Sequence, residues 1–144
     1  MITKKLKTSK KSTKPKPTIA KLKKLADAEF SKYIRQRDSD RYGMSSCITC
    51  GTKRPWKEMQ NGHFVSRRVN LLRYDEENCN AQCVGCNMFK HGDLFTYAQN
   101  LDLKYGDGTA KKLHYQRFTT HKFTSGELLA IIEECKERIK EYAL

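Results

Sequence analysis

The fold of this chain is decided by residues 47–93, which read CITCGTKRPWKEMQNGHFVSRRVNLLRYDEENCNAQCVGCNMFKHGD. The stretch carries two Cys-x-x-Cys pairs, formed by Cys47, Cys50, Cys83 and Cys86. Each pair presents two thiolates to one side of a metal ion, and zinc takes four such ligands in a tetrahedron. Gly51 follows the first pair, where a knuckle turn needs a positive φ. The spacing therefore predicts a structural zinc site.

The other two cysteines, Cys79 and Cys135, are predicted to be free thiols. A reducing intracellular compartment favours metal binding over disulfides for paired cysteines. Cys135 falls on the apolar stripe of a predicted helix, so we interpret it as a packing residue. Cys79 could compete for zinc through its spacing to Cys83, but the two symmetrical pairs are the better ligand set.

The composition is strongly basic. The 144 residues include 29 Lys and Arg against 16 Asp and Glu, a formal net charge of +13. Such a charge, without an amphipathic basic stretch, favours nucleic acid over a membrane as the partner. No apolar run reaches the roughly 18 residues that span a bilayer, and no apolar segment follows the N-terminal lysines as a secretory signal requires. We therefore predict an intracellular protein with no membrane partner.

Composition divides the chain into an arm and one domain. Residues 1–17 contain seven lysines and two prolines and no acidic residue, which predicts a flexible arm because so little apolar surface cannot offset the ordering entropy. The arm is either a solubilising tail or a phosphate-binding segment, and a targeting role stays open. Residues 18–144 are predicted to form a single domain, with a core at about 44–93 and a helical extension at 94–144.

Helices are predicted on both sides of the core from apolar residues at helical spacing. The first begins at its N-cap Thr18 and ends near Arg37-Asp38-Ser39-Asp40, with an apolar stripe that we expect to pack on the zinc module. Thr109 is the expected cap of a later helix, and Thr124 and Glu127 form a capping box before the last one. The helices after the core are predicted at residues 94–105, 109–118 and 125–142.

Within the core the sequence predicts two strands and a helix, which makes the fold class α+β. The first strand is expected at Trp56–Met59 and leads to Asn61-Gly62, a turn or bulge signal that would aim the His63 side chain out of the regular pleat. The second strand ends near Gln82, and a helix is expected from about Cys86.

Motifs extend from the first helix to the last: Tyr33-Ile34-Arg35, Arg37-Asp38, Cys47-Ile48-Thr49-Cys50-Gly51, Gly62-His63-Phe64, Arg73, Asn78, Gln82-Cys83-Val84-Gly85-Cys86-Asn87, Lys90, Gly92 and Glu133-Glu134-Cys135-Lys136. Together they resemble the phage NinG family, also called Rap, within the HNH or ββα-metal nucleases. The resemblance covers roughly residues 18–144. It implies a treble-clef-like ribbon and helix with a structural zinc, and endonucleolytic cutting of branched DNA such as Holliday junctions or D-loops.

The resemblance also implies partners and a place of action. Cutting both strands of a junction makes a homodimer the expected active form. Phage recombination proteins are possible partners, and a phage-encoded protein would act in the host cytoplasm.

The same resemblance assigns roles at the site. His63 is the expected general base, because a neutral imidazole is abundant near pH 7. Asn78 would hold the His63 loop and the imidazole in register. Asn87, together with His63, is the expected ligand of a catalytic Mg²⁺ or Mn²⁺ ion. Many HNH enzymes have Asp directly before this histidine, whereas this chain has Gly62; Asn61, Asp75, Glu76 or His63 itself are the alternatives for the missing ligand.

Basic residues near the site are predicted to contact DNA, although each could instead be solvated. They are Arg67, Arg68, Arg73 and Lys90. Two other functions remain open: a catalytically inactive zinc module that binds nucleic acid, and an assembly module that holds a partner in a nucleoprotein complex.

Overall fold

A computed structural model of the protein describes residues 14–142, so residues 1–13 of the predicted arm lie outside the described part. The helices are α1 Ile19–Arg37, α2 Asn70–Arg73, α3 Leu94–Tyr105, α4 Thr109–Gln116 and α5 Ser125–Tyr142. The strands are β1 Met44–Ser46, β2 Lys53–Pro55, β3 Gln60–His63 and β4 Cys79–Gln82, and they form two antiparallel pairs, β1 with β2 and β3 with β4. The predicted mixed α+β class is confirmed.

The two longest helices, α1 and α5, pack along each other. α1 begins where predicted, with the Thr18 side chain accepting a hydrogen bond from the Lys21 amide at 3.2 Å. Its first half packs with Phe123 and the start of α5, and its second half meets Cys135 of α5 and Cys79 of β4. The apolar stripe of α1 therefore packs on α5 as well as on the core, whereas we expected the core alone.

The capping box predicted before α5 is confirmed. The Thr124 amide donates to Glu127 Oε2 at 2.9 Å, and the Glu127 amide donates to Thr124 Oγ1 at 3.2 Å. The cap expected at Thr109 is wrong, because Gly108 occupies the N-cap position and the Thr109 hydroxyl donates to the Gly106 carbonyl. None of the helices in residues 14–142 is long and apolar enough to cross a membrane.

The first predicted core strand is displaced. Residues Trp56–Glu58 form a 3₁₀ turn, and the strand begins only at Gln60. The turn directs the Trp56 ring towards α1, where the Arg35 guanidinium lies 5.2 Å from the ring centroid. This long-range contact competes with the local preference of tryptophan for a strand.

The bulge predicted at Asn61-Gly62 is also wrong. Both residues lie in a regular ladder, in which Asn61 pairs with Ala81 and Gly62 with Asn80. Glycine is required at position 62 for another reason: a Cβ there would stand 2.1 Å from Gln82 Oε1 and 2.8 Å from Gln82 Cβ. Close packing of the two strands, rather than a turn, explains this glycine.

The helix predicted from Cys86 is a single π turn, Gly85–Phe89. It ends because His91, Gly92 and Asp93 all adopt positive φ, at 51°, 87° and 43°.

The helix α3 packs on β3 and β4. Its buried Tyr97 donates a hydrogen bond to the Gly62 carbonyl at 2.7 Å.

Candidate functional site

The four predicted zinc ligands come together. Their sulfur atoms all lie within 4.8 Å of one another, and we call Cys47, Cys50, Cys83 and Cys86 the cysteine cluster. The Sγ atoms of Cys50 and Cys83 are 3.7 Å apart. A tetrahedron with Zn–S bonds of about 2.3 Å has S···S edges of about 3.8 Å. The cluster could therefore hold a zinc ion without rearrangement of this pair.

The backbone around the cluster has the expected knuckle geometry. Gly51 has a φ of +75°, as predicted for the residue after the first pair. The Cys86 amide points at Cys83 Sγ at 3.4 Å, a contact that favours the thiolate form needed for metal binding.

Cys79 and Cys135 lie outside the cysteine cluster. Cys79 is completely buried, and burial raises the pKa of its thiol well above the ordinary value. Its Sγ lies 3.6 Å from the carbonyl oxygen of Arg73. The neutral thiol is thus a packing group between β4 and α1, and the two symmetrical pairs remain the better ligand set.

A cleft of about 570 Å³ opens beside β3. Its walls come from α1, from β3, from the segment between β3 and β4, and from the π turn. His63 and Asn87 both line this cleft, and so does Arg67. The sequence prediction that His63 and Asn87 approach one site therefore agrees with the structure.

The His63 ring is held in one orientation. Its Nε2 lies 2.9 Å from the carbonyl oxygen of Arg73, and because a carbonyl only accepts, Nε2 carries the proton. The neutral ring then has its lone pair on Nδ1. Burial lowers the pKa of His63 below its ordinary value, which favours this neutral form. Nδ1 can accept a proton or bind a metal, but it cannot do both at once.

Asn78 is fully buried and organises the segment between β3 and β4. Its Oδ1 accepts from the Val65 amide at 2.7 Å, and its Nδ2 donates to the carbonyls of Val65 and Leu72 at 2.9 and 3.0 Å. These bonds fix the chain on both sides of Arg67 and Arg68. Asn78 thus holds the loop that follows His63, but none of these bonds reaches the imidazole, which we expected Asn78 to hold as well.

Asn87 follows the cysteine cluster directly and reaches into the cleft. Its Nδ2 donates to Gln60 Oε1 at 2.6 Å. Orienting the amide nitrogen in this way leaves the carbonyl oxygen, Oδ1, as the atom able to ligate a cation.

The four predicted DNA contacts differ in their surroundings. Arg67 lines the cleft, while Arg68 and Lys90 are exposed outside it. Arg73 also lines the cleft, but its guanidinium forms a two-bond pair with Asp27, with Nε to Oδ1 at 2.8 Å. An arginine held by a carboxylate is a poor free phosphate ligand, so Arg73 acts structurally in this arrangement.

The cleft includes residues of α1 that the sequence prediction missed. Asp27, Ser31 and Arg35 all line it, and they are spaced four residues apart. Residues at that spacing share one helix face, so the sequence could predict that these three side chains lie together. It could not predict that this face of α1 lies opposite His63.

Four residues were candidates to replace the Asp that many HNH enzymes have before the histidine. Of these, Asn61 lies in the cleft, and its Oδ1 is buried without a hydrogen-bond partner in the described structure. Asp75 instead caps a turn by accepting from the Glu77 and Asn78 amides, and Glu76 contacts Tyr33 and Arg138. Within residues 14–142, Asp27 is the sole carboxylate that lines the cleft. The cleft thus offers amide oxygens, one carboxylate and one imidazole nitrogen.

Comparison with known proteins identifies relatives. Residues 2–143 match the family model described as NinG, the bacteriophage lambda NinG protein. The chain is 31% identical to protein ninG of Salmonella phage P22, and 30% identical to the proteins of the same name from Escherichia phages lambda and 933W. Each match covers 95% of this chain.

The same matches cover 63–64% of the relatives' own length, so the chain spans a little under two thirds of these proteins. No solved structure matches the chain. The resemblance predicted from the motifs is confirmed at the level of the family.

Proposed function

Because this chain belongs to the NinG family of bacteriophage proteins, we propose that it is a divalent-metal-dependent DNA endonuclease of the HNH type. The observation that carries the proposal is that His63, with Nδ1 as its acceptor, and Asn87 line one cleft next to the cysteine cluster. In this proposal β3, β4 and the π turn Gly85–Phe89 form the ββα-metal core, and zinc in the cysteine cluster holds the turn against the strands.

Hydrolysis of a phosphodiester requires a water molecule that loses a proton as its oxygen bonds to phosphorus, while the bond from phosphorus to the leaving 3′ oxygen breaks and that oxygen is protonated by solvent. His63 Nδ1 takes this proton, and the Arg73 carbonyl bound to Nε2–H keeps the ring in the required tautomer and stabilises the imidazolium that forms. Asn78 acts through the loop, since it fixes the segment that carries Arg73. Arg67 supplies positive charge to the phosphate.

Asn87 Oδ1 is the oxygen that would hold a catalytic Mg²⁺ or Mn²⁺, and the buried, unpartnered Asn61 Oδ1 would join it after a side-chain rotation that exposes it to the cleft. When bound, such an ion stabilises the charge that builds on the phosphate. Few protein ligands suffice, since Mg²⁺ commonly keeps waters and takes further oxygens from substrate phosphates. His63 is excluded as a simultaneous ligand because its one available nitrogen serves the proton transfer.

The proposed substrate is DNA, and the net charge of +13 supports an anionic partner. Branched DNA, such as Holliday junctions or D-loops, is the form implied by resemblance to the family. A homodimer acting with phage recombination proteins in the host cell belongs to the same proposal.

A second candidate is a module that binds nucleic acid, alone or within a nucleoprotein assembly, without cutting it. One observation favours it: Asp27, the carboxylate of the cleft, already pairs with Arg73 and accepts a hydrogen bond from Tyr74. In addition, the cysteine cluster is the one group of metal-binding side chains found in residues 14–142.

Cleavage assays distinguish the two candidates. The zinc-loaded protein is incubated with a four-way junction, a fork and a linear duplex, each with Mg²⁺, with Mn²⁺ or with neither ion added. His63→Ala is compared with His114→Ala, which removes an exposed imidazole from α4, outside the cleft.

The nuclease proposal predicts metal-dependent cuts that His63→Ala abolishes and His114→Ala leaves unchanged. Tight binding with no cut in any metal would support the second candidate. Equal cutting of all three DNAs would retain the nuclease and remove the preference for branches.

A further inference from the structure

We propose that exposed apolar side chains beside the cleft stack on an unpaired nucleobase that adjoins the bound phosphate. They form the 88–95 patch, which consists of Met88, Phe89, Leu94 and Phe95. This inference rests on the proposed function in one respect, namely that DNA occupies the cleft. It adds a contact that recognises bases rather than phosphates.

The patch exposes aromatic surface to an unusual degree. Phe89 is 79% exposed and Phe95 is 77% exposed, with Met88 and Leu94 at 58% and 50%. Four large exposed apolar side chains occur within eight consecutive residues, whereas isolated exposed apolar residues are ordinary. Such a concentration indicates a binding surface.

The patch is continuous with the cleft. Gln60 contacts both: its Oε1 accepts from Asn87 Nδ2 at 2.6 Å, and its Nε2 lies 3.4 Å from Met88 Sδ. Phe89 follows Asn87 by two residues in the same π turn. A strand whose phosphate is held near Asn87 would therefore place a neighbouring nucleotide at the patch.

The segment that presents Phe89 is held firmly. His91 and Asp93 adopt positive φ, which costs a residue with a side chain of the order of 1 kcal/mol. Buried Gln82 fixes the loop by donating to the Gly92 carbonyl at 2.8 Å, and the Gly92 amide donates to the Cys86 carbonyl at 2.9 Å. A preorganised aromatic side chain loses little entropy on binding.

The surrounding charge favours nucleic acid as the occupant. No acidic residue occurs from Asn78 to Gly92, and Lys90 and His91 stand between the two phenylalanines together with a single acidic residue, Asp93. Aromatic rings next to cations are the combination that binds single-stranded nucleic acid, since the ring stacks on a base and the cation contacts the backbone. Paired bases offer no open face, so the patch selects an unpaired one.

The test uses the full chain with zinc in its cysteine cluster, without chelator and without added Mg²⁺ or Mn²⁺, so that binding is measured without cutting. The probes are a fork with 2-aminopurine at its branch point and a linear duplex with G·C-rich ends. Phe89→Ala and Phe95→Ala are compared with Phe118→Ala, which removes a phenylalanine that is 68% exposed elsewhere on the surface. Phe89→Trp tests whether another aromatic ring restores binding.

We expect Phe89→Ala to weaken fork binding about tenfold, the scale of one lost base stack, and to abolish the change in 2-aminopurine fluorescence. The affinity for duplex should stay within about twofold of wild type, and the melting temperature within about 2 °C. Changes of that size are ordinary for a surface substitution. Phe118→Ala should resemble wild type, and Phe89→Trp should retain binding.

Equal losses on fork and duplex, or an effect of Phe118→Ala as large as that of Phe89→Ala, would overturn the proposal. A wild-type dimer that Phe89→Ala dissociates, seen by sedimentation, would also overturn it by assigning the patch to a second copy of the chain. A protein that binds the fork through Phe89 and never cuts with Mg²⁺ or Mn²⁺ would instead refute the nuclease and leave the stacking in place.

Discussion

The cysteine cluster and the cleft adjoin each other but are assembled differently. The cluster takes its four ligands from two short turns, each of which places its pair by local backbone geometry alone. The cleft takes its residues from α1, β3, the segment after β3 and the π turn, so Asp27 and Asn87 are 60 positions apart in the sequence. Each half of the metal-binding set is therefore a local property, and the bond from the Ile48 amide to the Ala81 carbonyl helps to bring the halves together. The proposed catalytic set depends in addition on how α1 packs.

The two regions also differ in what stabilises them. Zinc would cross-link the two turns of the cluster, since each contributes two thiolates. The cleft depends on hydrogen bonds, above all the three made by buried Asn78, and on the ion pair between Arg73 and Asp27. Individual hydrogen bonds contribute far less than a bound structural metal. Substitutions in the two regions should therefore differ in size, and this difference can be measured.

The largest effect is expected in the cysteine cluster. Cys47→Ser or Cys83→Ser should release the metal and unfold residues around the core, because structural zinc contributes on the order of 10 kcal/mol in small domains. The measurements are zinc content by mass spectrometry and thermal unfolding. Cys135→Ala is the control, as it removes a buried thiol outside the cluster.

The control should keep one zinc ion per chain and lose only the few kcal/mol of a small cavity, at most about 3 kcal/mol. If Cys83→Ser melted at the wild-type temperature with its zinc retained, the cluster would not be the structural centre of the fold.

A smaller effect is expected from Asn78→Ala, which leaves the amide and the carbonyl of Val65 without partners and removes one of the donors to the Leu72 carbonyl. Unsatisfied buried groups cost about 1–3 kcal/mol each, and partial access of water limits the total to about 3 kcal/mol. Denaturant unfolding measures the change. Asn70→Ala is the matched control, since Asn70 makes a single bond, to the His121 carbonyl, and should lose about 1 kcal/mol.

Zinc content should be unchanged in Asn78→Ala, which separates the two regions. Loss of zinc together with stability would mean that the cluster and the cleft unfold as one unit.

Sequence patterns predicted the parts of this fold that local geometry determines. The cysteine pairs, the Thr18 cap and the capping box of Thr124 and Glu127 are all defined by residues within four positions of each other. The segment held by Asn78 was predicted as well, because a family motif placed that asparagine between the strands.

Other features depend on contacts that no local pattern encodes. Trp56 lies in a 3₁₀ turn because Arg35 of α1 stacks on it, and Gly62 is needed because Gln82 fills the adjacent space. The role of Asp27 also follows from the packing of α1 beside Arg73. For this reason the cleft was predicted only in part, from the residues that the core itself contributes.

Gly62 tests this long-range packing directly. Gly62→Ala should destabilise the protein by about 2 kcal/mol, because the new Cβ would overlap the Gln82 side chain. Gly126→Ala, in the first turn of α5, is the control of opposite sign: its Cβ would meet nothing closer than 3.9 Å, and alanine favours helix by up to about 1 kcal/mol. Thermal unfolding compares the two.

Gly62→Asp should be no more active than Gly62→Ala, since a carboxylate at this position would have to displace Gln82 before reaching a metal. Higher activity in Gly62→Asp would show that the strand can open and accept the ligand usual in HNH enzymes.

The smallest effect concerns protonation of His63. Burial lowers the pKa of this imidazole below 6.5, so the neutral base should persist below pH 6.5 and the acid limb of the cleavage rate should lie there. The unfolded chain, with the ordinary pKa, binds the proton first as the pH falls, so the free energy of unfolding should decrease through the same window. Titration of the ring protons by NMR measures the pKa without relying on activity.

Asp27→Asn changes the cleft without changing the cysteine cluster. The negative charge of Asp27 raises the pKa of His63, whereas burial, the larger effect, lowers it. The variant should move the His63 titration and the acid limb together to lower pH, while zinc content stays constant. If the titration moved and the acid limb did not, another group would limit the rate, and His63 would not be the base.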